Sequence, residues 1–532
     1  MPLTSSTLQL RLKRLVKQGN YKLLSQGLKG LEKESLRITT EGRIAETPHF
    51  PSLGSALTHP YITTDYSEAL LEFITPPYAN NPQVLTFLTD IHRFVYSQLP
   101  NDELLLATSM PCGFQSDEDI PIAQYGESNI GKMKTIYRIG LAYRYGRAMQ
   151  AIAGIHFNFS ISQALWPQLH EAFQTRQPLP DFQSHAYFAL IRNVQRYGWL
   201  LLYLFGASPA VCRSFLECRG EIPPQFSQLT PNTFYAPYAT SLRMSDIGYK
   251  NKTQSTLHIS LNNLDDYVQS LCHAIETPHP PYEAIGVKVD GQYRQLNANI
   301  LQIENEYYSS IRPKQITRSG EKPTYALKRR GVRYVEVRAL DLNPFEPLGI
   351  SLTQLYFLEL FLWYCLIEAS PPMSQQDFVI TQKNFLATAY RGRDPQLTLT
   401  KENQPTPLKT WAAELLDAMK PLATLMDQAG QTADFEECLA LQKEKVINSQ
   451  LTPSAQMLKE MRTNKESFAG FALRKSKEHA EYFRTSPLPN EKMTWFQKNA
   501  QESLEVQRNI EASDNIGFEE FLRRYFAQTC NS

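Results

Sequence analysis

Acidic side chains that could bind a metal ion recur in segments of this chain that have the pattern of strands. In GLEKESLRI, Glu32 and Glu34 are separated by one residue, so both carboxylates would point to the same face of a strand. Glu72 interrupts the apolar run ALLEFI, and Glu336 interrupts YVEVRAL. A charged side chain between apolar neighbours needs a partner, because an unpaired buried charge is strongly unfavourable. These acids therefore predict a shared site on one polar face.

Asp65 and His156 complete the predicted set. Asp65 precedes the run that contains Glu72, and His156 occupies a polar position of AGIHFNFSIS, where apolar and polar residues alternate. Carboxylate oxygens suit Mg²⁺ or Mn²⁺, and Mn²⁺ accepts a histidine nitrogen more readily. We predict a metal site whose ligands are Glu32, Glu34, Asp65, Glu72, His156 and Glu336.

Each of these residues also has an ordinary structural explanation. A glutamate on a strand is usually solvated, and a single histidine on an apolar strand is usually a satisfied core residue. We give Glu68, beside Glu72, only this structural interpretation. A network of carboxylate–arginine ion pairs would also place charges on a sheet, with Arg37 and Arg338 as the cations. The combination of five acids with one histidine favours the metal site.

A basic stretch at residues 312–320, RPKQITRSG, could bind an anion. Arg312, Lys314 and Arg318 would bind nucleotide phosphates if this stretch were a mobile loop that closes over the acidic site. The simpler alternative is a solvated surface loop. The segment GESNIGKM has the glycines and lysine of a phosphate-binding loop, but Met133 stands where a hydroxyl group must bind Mg²⁺. We interpret this segment as the loop that leads into a helix.

The elements that must position these residues are short strands and helices in irregular order. Because the strands do not alternate regularly with single helices, we expect an α+β fold rather than a doubly wound parallel sheet. An antiparallel sheet with one polar face and helices behind the other face fits better. Strand patterns occur at 31–38, 70–75, 153–162 and 333–340, with weaker ones near 284–303, and helical patterns at 1–30, 80–100, 133–152 and 180–206.

The character of the sequence changes at about residue 376. From there to the end, glycines become rare and the pattern is helical, with no alternating segment. We therefore predict two parts: a catalytic core at residues 1–375 and a helical C-terminal region, packed on the core, at residues 376–532.

Composition excludes several classes of protein. The 532 residues carry 54 basic and 53 acidic side chains, a formal charge of +1, which lacks the basic excess of a nucleic-acid-binding protein. The apolar runs at 197–212 and 352–369 are too short for a membrane span or carry acidic residues, so we interpret both as buried helices. Seven cysteines without a CxxC motif predict a reducing cytoplasm and no disulfide framework.

A collinear set of motifs runs from about residue 30 to residue 350: GLEKESLRI, GSALTHPYITTDYSEALLEFITPP, MPC, IAQYG, YGRAMQAIAGIHFNFS, YLFGASPAVC, YATSLRMSDIGYKNK, LQIENEYYSSIRPK, TRSGE and YVEVRALDLNPF. Together they resemble the bacterial glutamate–cysteine ligases of the proteobacterial type. The resemblance implies a fold akin to the active-site half of glutamine synthetase, a curved antiparallel sheet whose inner face holds the metals. It also implies ATP-dependent joining of the γ-carboxylate of L-glutamate to the amine of L-cysteine, the first step of glutathione synthesis.

The resemblance further implies roles for individual residues. The acids and the histidine named above match the metal ligands of the family. We expect Arg138 and Arg338 to stabilise charge on the transferred phosphoryl group, Arg243 to hold an amino-acid carboxylate, and Tyr249 and Tyr308 to orient cysteine. The positions that match the family's substrate-binding residues are Tyr137, Arg138, Gln150, Asn158, Arg243, Tyr249, Tyr308 and Arg338.

The implied reaction explains why metals and cations would be needed. A carboxylate does not react with an amine in water, so ATP would first convert it into a γ-glutamyl phosphate, and divalent metals would reduce the repulsion between the anions. We expect a monomer with ATP as co-substrate, Mg²⁺ or Mn²⁺, and no nucleic-acid or membrane partner. Two alternatives remain: a ligase of the same type with another amine acceptor, such as a polyamine or a different amino acid, and a non-catalytic metal or nucleotide sensor.

Overall fold

The secondary structure was assigned for residues 7–17, 19–220, 222–248, 257–318 and 320–528, which are the residues that the computed structural model describes. The strands are β1 (Leu28–Thr39), β2 (Ile62–Thr64), β3 (Leu70–Ile74), β4 (Glu103–Leu105), β5 (Ile155–Ser160), β6 (Ala210–Cys212), β7 (Ser227–Thr230), β8 (Thr233–Tyr235), β9 (Lys288–Val289), β10 (Gln292–Tyr293), β11 (Ile311–Lys314), β12 (Tyr334–Leu340), β13 (Thr398–Lys401) and β14 (Gln404–Pro407).

Helices surround these strands and dominate the second half of the chain. They are α1 (Thr7–Lys17), α2 (Asn81–Gln98), α3 (Asn129–Tyr145), α4 (Arg147–Gln150), α5 (Trp166–Phe173), α6 (Leu179–Tyr197), α7 (Trp199–Phe205), α8 (Arg213–Cys218), α9 (Leu264–Glu276), α10 (Pro280–Ile285), α11 (Pro323–Arg330), α12 (Leu352–Ile367), α13 (Gln375–Arg391), α14 (Leu408–Gly430), α15 (Asp434–Ile447), α16 (Pro453–Thr463), α17 (Phe468–Arg484), α18 (Asn490–Ser513) and α19 (Phe518–Phe526).

A seven-stranded antiparallel sheet forms the centre of the fold. Six strands follow one another across it in the order β11, β12, β5, β1, β3, β2, and β4 pairs with the end of β1. The α+β fold and the antiparallel sheet are therefore confirmed. β1 is longer than the predicted strand at 31–38. The helical prediction for residues 1–30 is wrong for its last three residues, which belong to β1. Near 284–303 only the two-residue strands β9 and β10 form, so that strand prediction is largely wrong.

The apolar face of the sheet packs against helices. In β5 the side chains of Ile155, Phe157 and Phe159 are buried, and the ring of Phe159 meets Trp363 of α12 edge to face, with centroids 5.5 Å apart. α12 is the predicted buried helix at 352–369. Its charge is compensated, because Glu359 pairs with Lys29 of β1 at 2.8 Å. Among the described residues no helix is long and apolar enough to cross a membrane.

The C-terminal region shares its core with the rest of the chain. α13 begins at Gln375, where the predicted boundary lies, but one continuous set of buried apolar side chains extends from Leu8 to Phe496. The predicted helical C-terminal region is confirmed, although it also contains a short hairpin of β13 and β14 that the sequence did not predict. Glu402 and Asn403 form its turn with positive φ, a conformation that asparagine tolerates. The sequence analysis missed this turn because the pattern on both sides of it is helical.

The structure confirms one smaller expectation and contradicts another. The segment that imitates a phosphate-binding loop does lead into a helix, because the Ser128 side chain caps α3 by accepting a hydrogen bond from the Gly131 amide. The expectation that no disulfide forms is wrong: Cys112 and Cys212 are bonded. They lie 100 residues apart in sequence, so their spacing carried no signal of the pairing.

Candidate active site

The register of the sheet brings the predicted acids side by side. Glu34 of β1 lies directly opposite Glu72 of β3, and Glu32 of β1 lies directly opposite His156 of β5. On the next strand, Glu336 of β12 lies opposite Asn158 of β5. We call Glu32, Glu34, Glu72, His156 and Glu336 the acidic row. It crosses β3, β1, β5 and β12 on one face of the sheet.

His156 is the centre of the row. Its Nδ1 atom lies 3.2 Å from Glu32 Oε2 and 3.4 Å from Glu336 Oε1, and its Nε2 atom lies 3.5 Å from Glu34 Oε1. The imidazole is buried, and its Nε2 makes no hydrogen bond with any described residue. A buried ring nitrogen without a hydrogen bond is costly unless something else satisfies it.

The row contains a set of atoms that could hold a metal ion. One ligand atom each from Glu32, Glu72 and His156 lies within 4.8 Å of the other two. Two carboxylates and an imidazole form a donor set that Mg²⁺ accepts through oxygen and Mn²⁺ through both oxygen and nitrogen. The free Nε2 of His156 supports the same fit. These residues could therefore hold a divalent cation.

Asp65 is close to the row but does not lie in a strand. It directly follows β2, and its amide donates a hydrogen bond to the carbonyl of Leu70, the first residue of β3. The expectation of a strand position is wrong here, because β2 ends at Thr64. The Asp65 carboxylate still acts on the row, since its charge raises the pKa values of Glu34 and Glu72.

The pKa values of the row differ from one end to the other. Burial raises the pKa of Glu72 well above its ordinary value, and the charges of Glu32 and Asp65 raise it further. Burial also raises the pKa of Glu34, with a smaller opposing effect of His156. At the other end, burial would raise the pKa of Glu336, but nearby cations hold it well below its ordinary value.

The cations at the Glu336 end come from two neighbouring strands. Lys314 Nζ lies 3.0 Å from Glu336 Oε2, and Arg338 Nη1 lies 2.9 Å from Glu336 Oε1. Burial and Glu336 raise the pKa of Glu32, but the hydrogen bond and charge of His156 outweigh them, so that this pKa is also lowered.

The basic stretch is only partly a loop. Arg312 and Lys314 belong to β11, the edge strand that pairs with β12, so the expectation of a mobile loop is wrong for them. Arg312 lies opposite Glu336 and is buried, with its guanidinium donating to the Tyr307 and Asn305 carbonyls. Arg318 lies beyond the strand and is exposed. The alternation of arginine, proline and lysine was too short to predict a strand.

Arg138 lies near the Glu72 end of the row. Its Nε donates to the Asp65 carbonyl at 2.5 Å, and its guanidinium carbon lies 4.5 Å from the centre of the Tyr125 ring. Arg37, considered above as a cation for an ion-pair network, instead pairs with Glu103 at 2.8 Å, outside the row. Glu68 has the structural role expected, because its carboxylate accepts hydrogen bonds from the backbone.

The remaining predicted substrate residues have different partners. Gln150 and Tyr308 are joined by hydrogen bonds of 2.7 and 3.0 Å between the amide and the phenol. Asn158 donates to Glu32 Oε1 at 2.7 Å. Tyr137 lies on α3, and burial raises its pKa well above the ordinary value. Tyr249 lies outside the described residues.

Arg243 is fixed by a residue that the sequence analysis missed. Asp341 lies 3.8 Å from Arg243 and accepts hydrogen bonds from Ser241 Oγ and the Ala207 amide, each at 2.9 Å. Arg243 also donates to the Arg338 carbonyl at 3.0 Å. The pairing register between β12 and β5 shifts between Val337 and Leu340, so the alternation in YVEVRAL could not show where Asp341 would point.

One glycine permits this arrangement. A Cβ atom at Gly154 would lie 1.9 Å from Arg243 Nη2, so a larger residue would displace the guanidinium. The Gly154 amide also donates to Glu34 Oε2 at 2.6 Å. Gly154 therefore links Arg243 to the acidic row.

The geometry of the site indicates a type of enzyme. A buried row of acids, bordered by arginines and a lysine on an antiparallel sheet, is suited to an enzyme that brings anionic substrates together with the help of metal ions. Residues 12–388 match the family described as Glutamate-cysteine ligase. The chain belongs to the glutamate–cysteine ligase family.

Individual relatives agree with this assignment. The chain is 53% identical to a glutamate–cysteine ligase of Pseudomonas putida over 508 residues, 96% of each sequence. It is 51% identical to one of Alcanivorax borkumensis over 503 residues, 94% of this chain and 95% of the relative.

Solved structures show the same fold. The glutamate–cysteine ligase of Francisella tularensis, solved in complex with AMP, has a TM-score of 0.89 and 38% identity, and covers 94% of this chain and 98% of that chain. A bifunctional glutathione synthetase of Pasteurella multocida has a TM-score of 0.71 and 26% identity, over 90% of this chain and 55% of that chain.

Proposed function

We propose that this protein joins the γ-carboxylate of L-glutamate to the amine of L-cysteine, with conversion of ATP to ADP and phosphate. The observation that carries the proposal is the acidic row, bordered by Arg338 and Lys314 at one end and by Arg138 at the other. Membership in the ligase family supplies the reaction type. The product, γ-glutamylcysteine, is the precursor from which glutathione is made.

The first step would transfer the γ-phosphoryl group of ATP to the glutamate carboxylate, because a carboxylate oxygen is otherwise too poor a leaving group. A divalent cation, Mg²⁺ or Mn²⁺, held by Glu32, Glu72 and His156 would supply charge neutralisation between the two anions. Arg138 and Arg338 would stabilise the charge on the transferred group through their guanidinium N–H groups. In the second step, the cysteine amine displaces phosphate from γ-glutamyl phosphate.

Other side chains would hold the substrates in place. Arg243, fixed by Asp341, is suited to an amino-acid carboxylate, because its guanidinium is buried with a fixed orientation. We assign Arg312, Lys314 and Arg318 to the nucleotide. The substrate-orienting residues of the proposal are Tyr137, Gln150, Asn158, Tyr249 and Tyr308.

Glu34 and Asp65 complete the proposed metal-binding set, and we assign Glu336, also predicted as a ligand, to orienting Lys314 and Arg338. Glu34 accepts a hydrogen bond from the Gly154 amide, and Glu336 pairs with Lys314, so each is oriented by a neighbour as well as by the sheet. Ligands held by such neighbours keep their geometry when the cation exchanges.

We further propose that residues 1–375 contain the whole reaction centre and that 376–532 support it, in a monomer that works in the cytoplasm. The C-terminal region contacts loops near the site: the Asn129 amide at the start of α3 donates to Asp514 at 2.5 Å. In a reducing compartment, the Cys112–Cys212 bond would open, and the proposal expects the reduced enzyme to be active because neither sulfur belongs to the acidic row.

A coupled ADP assay tests the reaction. With ATP, Mg²⁺ and L-glutamate present, ADP release should require an amine acceptor, be fastest with L-cysteine among amino acids and polyamines, and stop in EDTA. Faster turnover with another amine would assign a different acceptor to the same ligase chemistry. ADP release that needs no glutamate, or that continues in EDTA, would contradict the proposal. Exposed Glu41→Gln is the matched control and should behave as the wild type.

A further inference from the structure

Lys134 is a cation near the acidic row whose charge no carboxylate of the described chain neutralises at close range. It lies on α3, one helical turn before Arg138, and its backbone carbonyl accepts a hydrogen bond from Arg138 Nη1 at 3.0 Å. Its ammonium group lies 5.1 Å from the centre of the Tyr125 ring, the ring on which Arg138 also stacks. The side chain is half-buried and forms no ion pair or side-chain hydrogen bond with the described residues.

Lys132 on the same helix provides a contrast. Its side chain is 45% exposed and pairs with Glu127 at 3.3 Å. The two lysines are separated by one residue, so they point away from the helix in different directions. Lys132 is an ordinary surface lysine, whereas Lys134 lies beside the Tyr125 ring and Arg138 without an acidic partner.

The surroundings of Lys134 favour an anion that is absent from the chain itself. Burial and the charge of Arg138 lower its pKa to about 8, and the charge of Glu72 opposes both in part. Holding a half-buried ammonium beside a guanidinium is unfavourable unless another negative charge approaches. The Tyr125 ring contributes only a weak cation–π attraction to each cation.

We propose that Lys134 binds an anionic oxygen of a substrate, together with Arg138, at the Glu72 end of the acidic row. Two substrate groups share this chemistry: a phosphate of the nucleotide and a carboxylate of glutamate. The inference rests on the proposed ligase function, and it adds a substrate-binding residue that the sequence analysis did not include. The amino-acid pattern KMKTIYR gave no means of separating Lys134 from Lys132, because both lie within one helical segment.

Steady-state kinetics of Lys134→Met tests the proposal, with Lys132→Met as the matched control. Initial rates of ADP release are measured with ATP varied and then with L-glutamate varied. Loss of a charge-assisted hydrogen bond should lower kcat/KM for the bound substrate by roughly 10- to 100-fold. Lys132→Met should stay within about twofold of the wild type, the range of an ordinary surface substitution.

The two substrates are distinguished by where the loss falls. A raised KM for ATP, with weaker ADP binding in calorimetry without amino acids, would assign Lys134 to a phosphate. A raised KM for glutamate with unchanged ADP binding would assign it to the carboxylate. Either result supports the proposal if the melting temperature of the substrate-free variant equals that of the wild type.

Other results of the same experiment would contradict the proposal. Wild-type values of kcat/KM for every substrate would overturn the proposal, as would an equal loss for all substrates that follows a lowered melting temperature. Lys134→Gln, neutral but shorter, gives the same comparison if Lys134→Met does not fold. An inactive wild-type protein would contradict the ligase function itself, so the two failures are distinguishable.

Discussion

The two ends of the acidic row contain the same residue type on the same face of one sheet, yet their charges are balanced differently. At the Glu336 end, Lys314 and Arg338 lie 3.0 and 2.9 Å from the carboxylate. At the Glu72 end, the carboxylate makes no ion pair with a described residue. Burial and the charges of Glu32, Asp65 and Glu34 raise its pKa, and the charge of Arg338 offsets this only in part. The chain therefore pairs the carboxylate with cations at one end. At the other end Arg138 and Lys134 lie nearby without forming an ion pair with Glu72, so we expect a cation from solution to balance this carboxylate.

This difference assigns separate tasks to similar residues. The Glu336 end is already neutralised, because its acid pairs with Lys314 and Arg338, and we propose that these two cations meet the anionic substrates. The Glu72 end carries an excess of negative charge. Either protonation of a carboxylate or binding of a metal ion must reduce the repulsion among its acids. Since Glu32, Glu72 and His156 offer the clustered ligand atoms, we expect the metal at this end.

The largest effect is expected on turnover. Glu72→Gln should lower kcat on the order of 10³-fold, because it removes a ligand of the cation that neutralises the substrates. Excess Mn²⁺ should restore part of this loss. Glu336→Gln should lower kcat as well, through misplaced Arg338, but Mn²⁺ should not restore it. Activity is measured in a Mn²⁺ titration of both variants. If Mn²⁺ restored both equally, the two ends of the row would not differ in their dependence on the metal.

The free energy of unfolding should respond with opposite signs in metal-free protein. Glu336→Gln leaves Lys314 and Arg338 unbalanced and should destabilise by about 3 kcal/mol. The raised pKa of Glu72 means that folding favours its neutral form, so stability falls as pH rises through that pKa. Glu72→Gln should therefore stabilise by about 1 kcal/mol at pH 7.

Urea denaturation in EDTA measures both changes. Glu41→Gln, on an exposed turn, controls for the loss of one acidic charge and should be neutral. If Glu72→Gln and Glu336→Gln were destabilised equally, side chains of the protein would neutralise the carboxylates at both ends of the row.

Acid sensitivity should come from the opposite face of β1. There Lys33 Nζ lies 2.7 Å from His92 Nε2, and burial with the charge of Lys33 lowers the pKa of His479 to about 4. A histidine with a folded-state pKa below its unfolded value of about 6.5 stabilises the fold above pH 6.5, and this stability is lost as pH falls towards 4. In His479→Asn, the loss of unfolding free energy as pH falls towards 4 should be smaller by about 1 kcal/mol.

Melting curves between pH 4 and pH 7 would check this prediction, with Glu72→Gln as the comparison. The Glu72 variant should keep the acid loss, because the raised pKa of Glu72 means that its protonation favours the folded state and is not a source of acid destabilisation. An unchanged pH profile in His479→Asn would locate the acid sensitivity elsewhere.

The smallest effect concerns metal affinity. Lys314→Met removes a cation from the row and should strengthen Mn²⁺ binding by about two- to fivefold, since one repulsive charge at moderate distance is lost. The same variant should raise the KM for ATP if Lys314 contacts a phosphate. A much larger gain in Mn²⁺ affinity would place the metal at the Glu336 end instead, because Lys314 would then lie close to it, and weaker binding would contradict the repulsion argument.

Local alternation predicted most of the acidic row. GLEKESLRI put Glu32 and Glu34 on one face, and AGIHFNFSIS put His156 on a polar face, because strand geometry repeats every two residues. The pairing partners could not be predicted in this way. That Glu34 meets Glu72, and Glu32 meets His156, depends on register between distant strands.

The features that the sequence did not predict depend on breaks in regular structure or on contacts across long separations. Asp341 follows a shift of register, which changes the face to which side chains point. The disulfide between Cys112 and Cys212 joins segments that meet only in the folded chain. The motifs beyond residue 30 led to the family, but they did not show which carboxylate of the row lacks an ion-pair partner, because charge balance is a property of the assembled sheet.

Direct Mn²⁺ binding tests the central claim, which is that the Glu72 end of the acidic row is the metal centre. EDTA-treated wild-type, Glu72→Gln and Glu41→Gln proteins are titrated with Mn²⁺, and free Mn²⁺ is followed by electron paramagnetic resonance. The account predicts binding to wild type and Glu41→Gln with equal affinity, and binding to Glu72→Gln that is weaker by at least about tenfold. Equal affinity of all three proteins would contradict it.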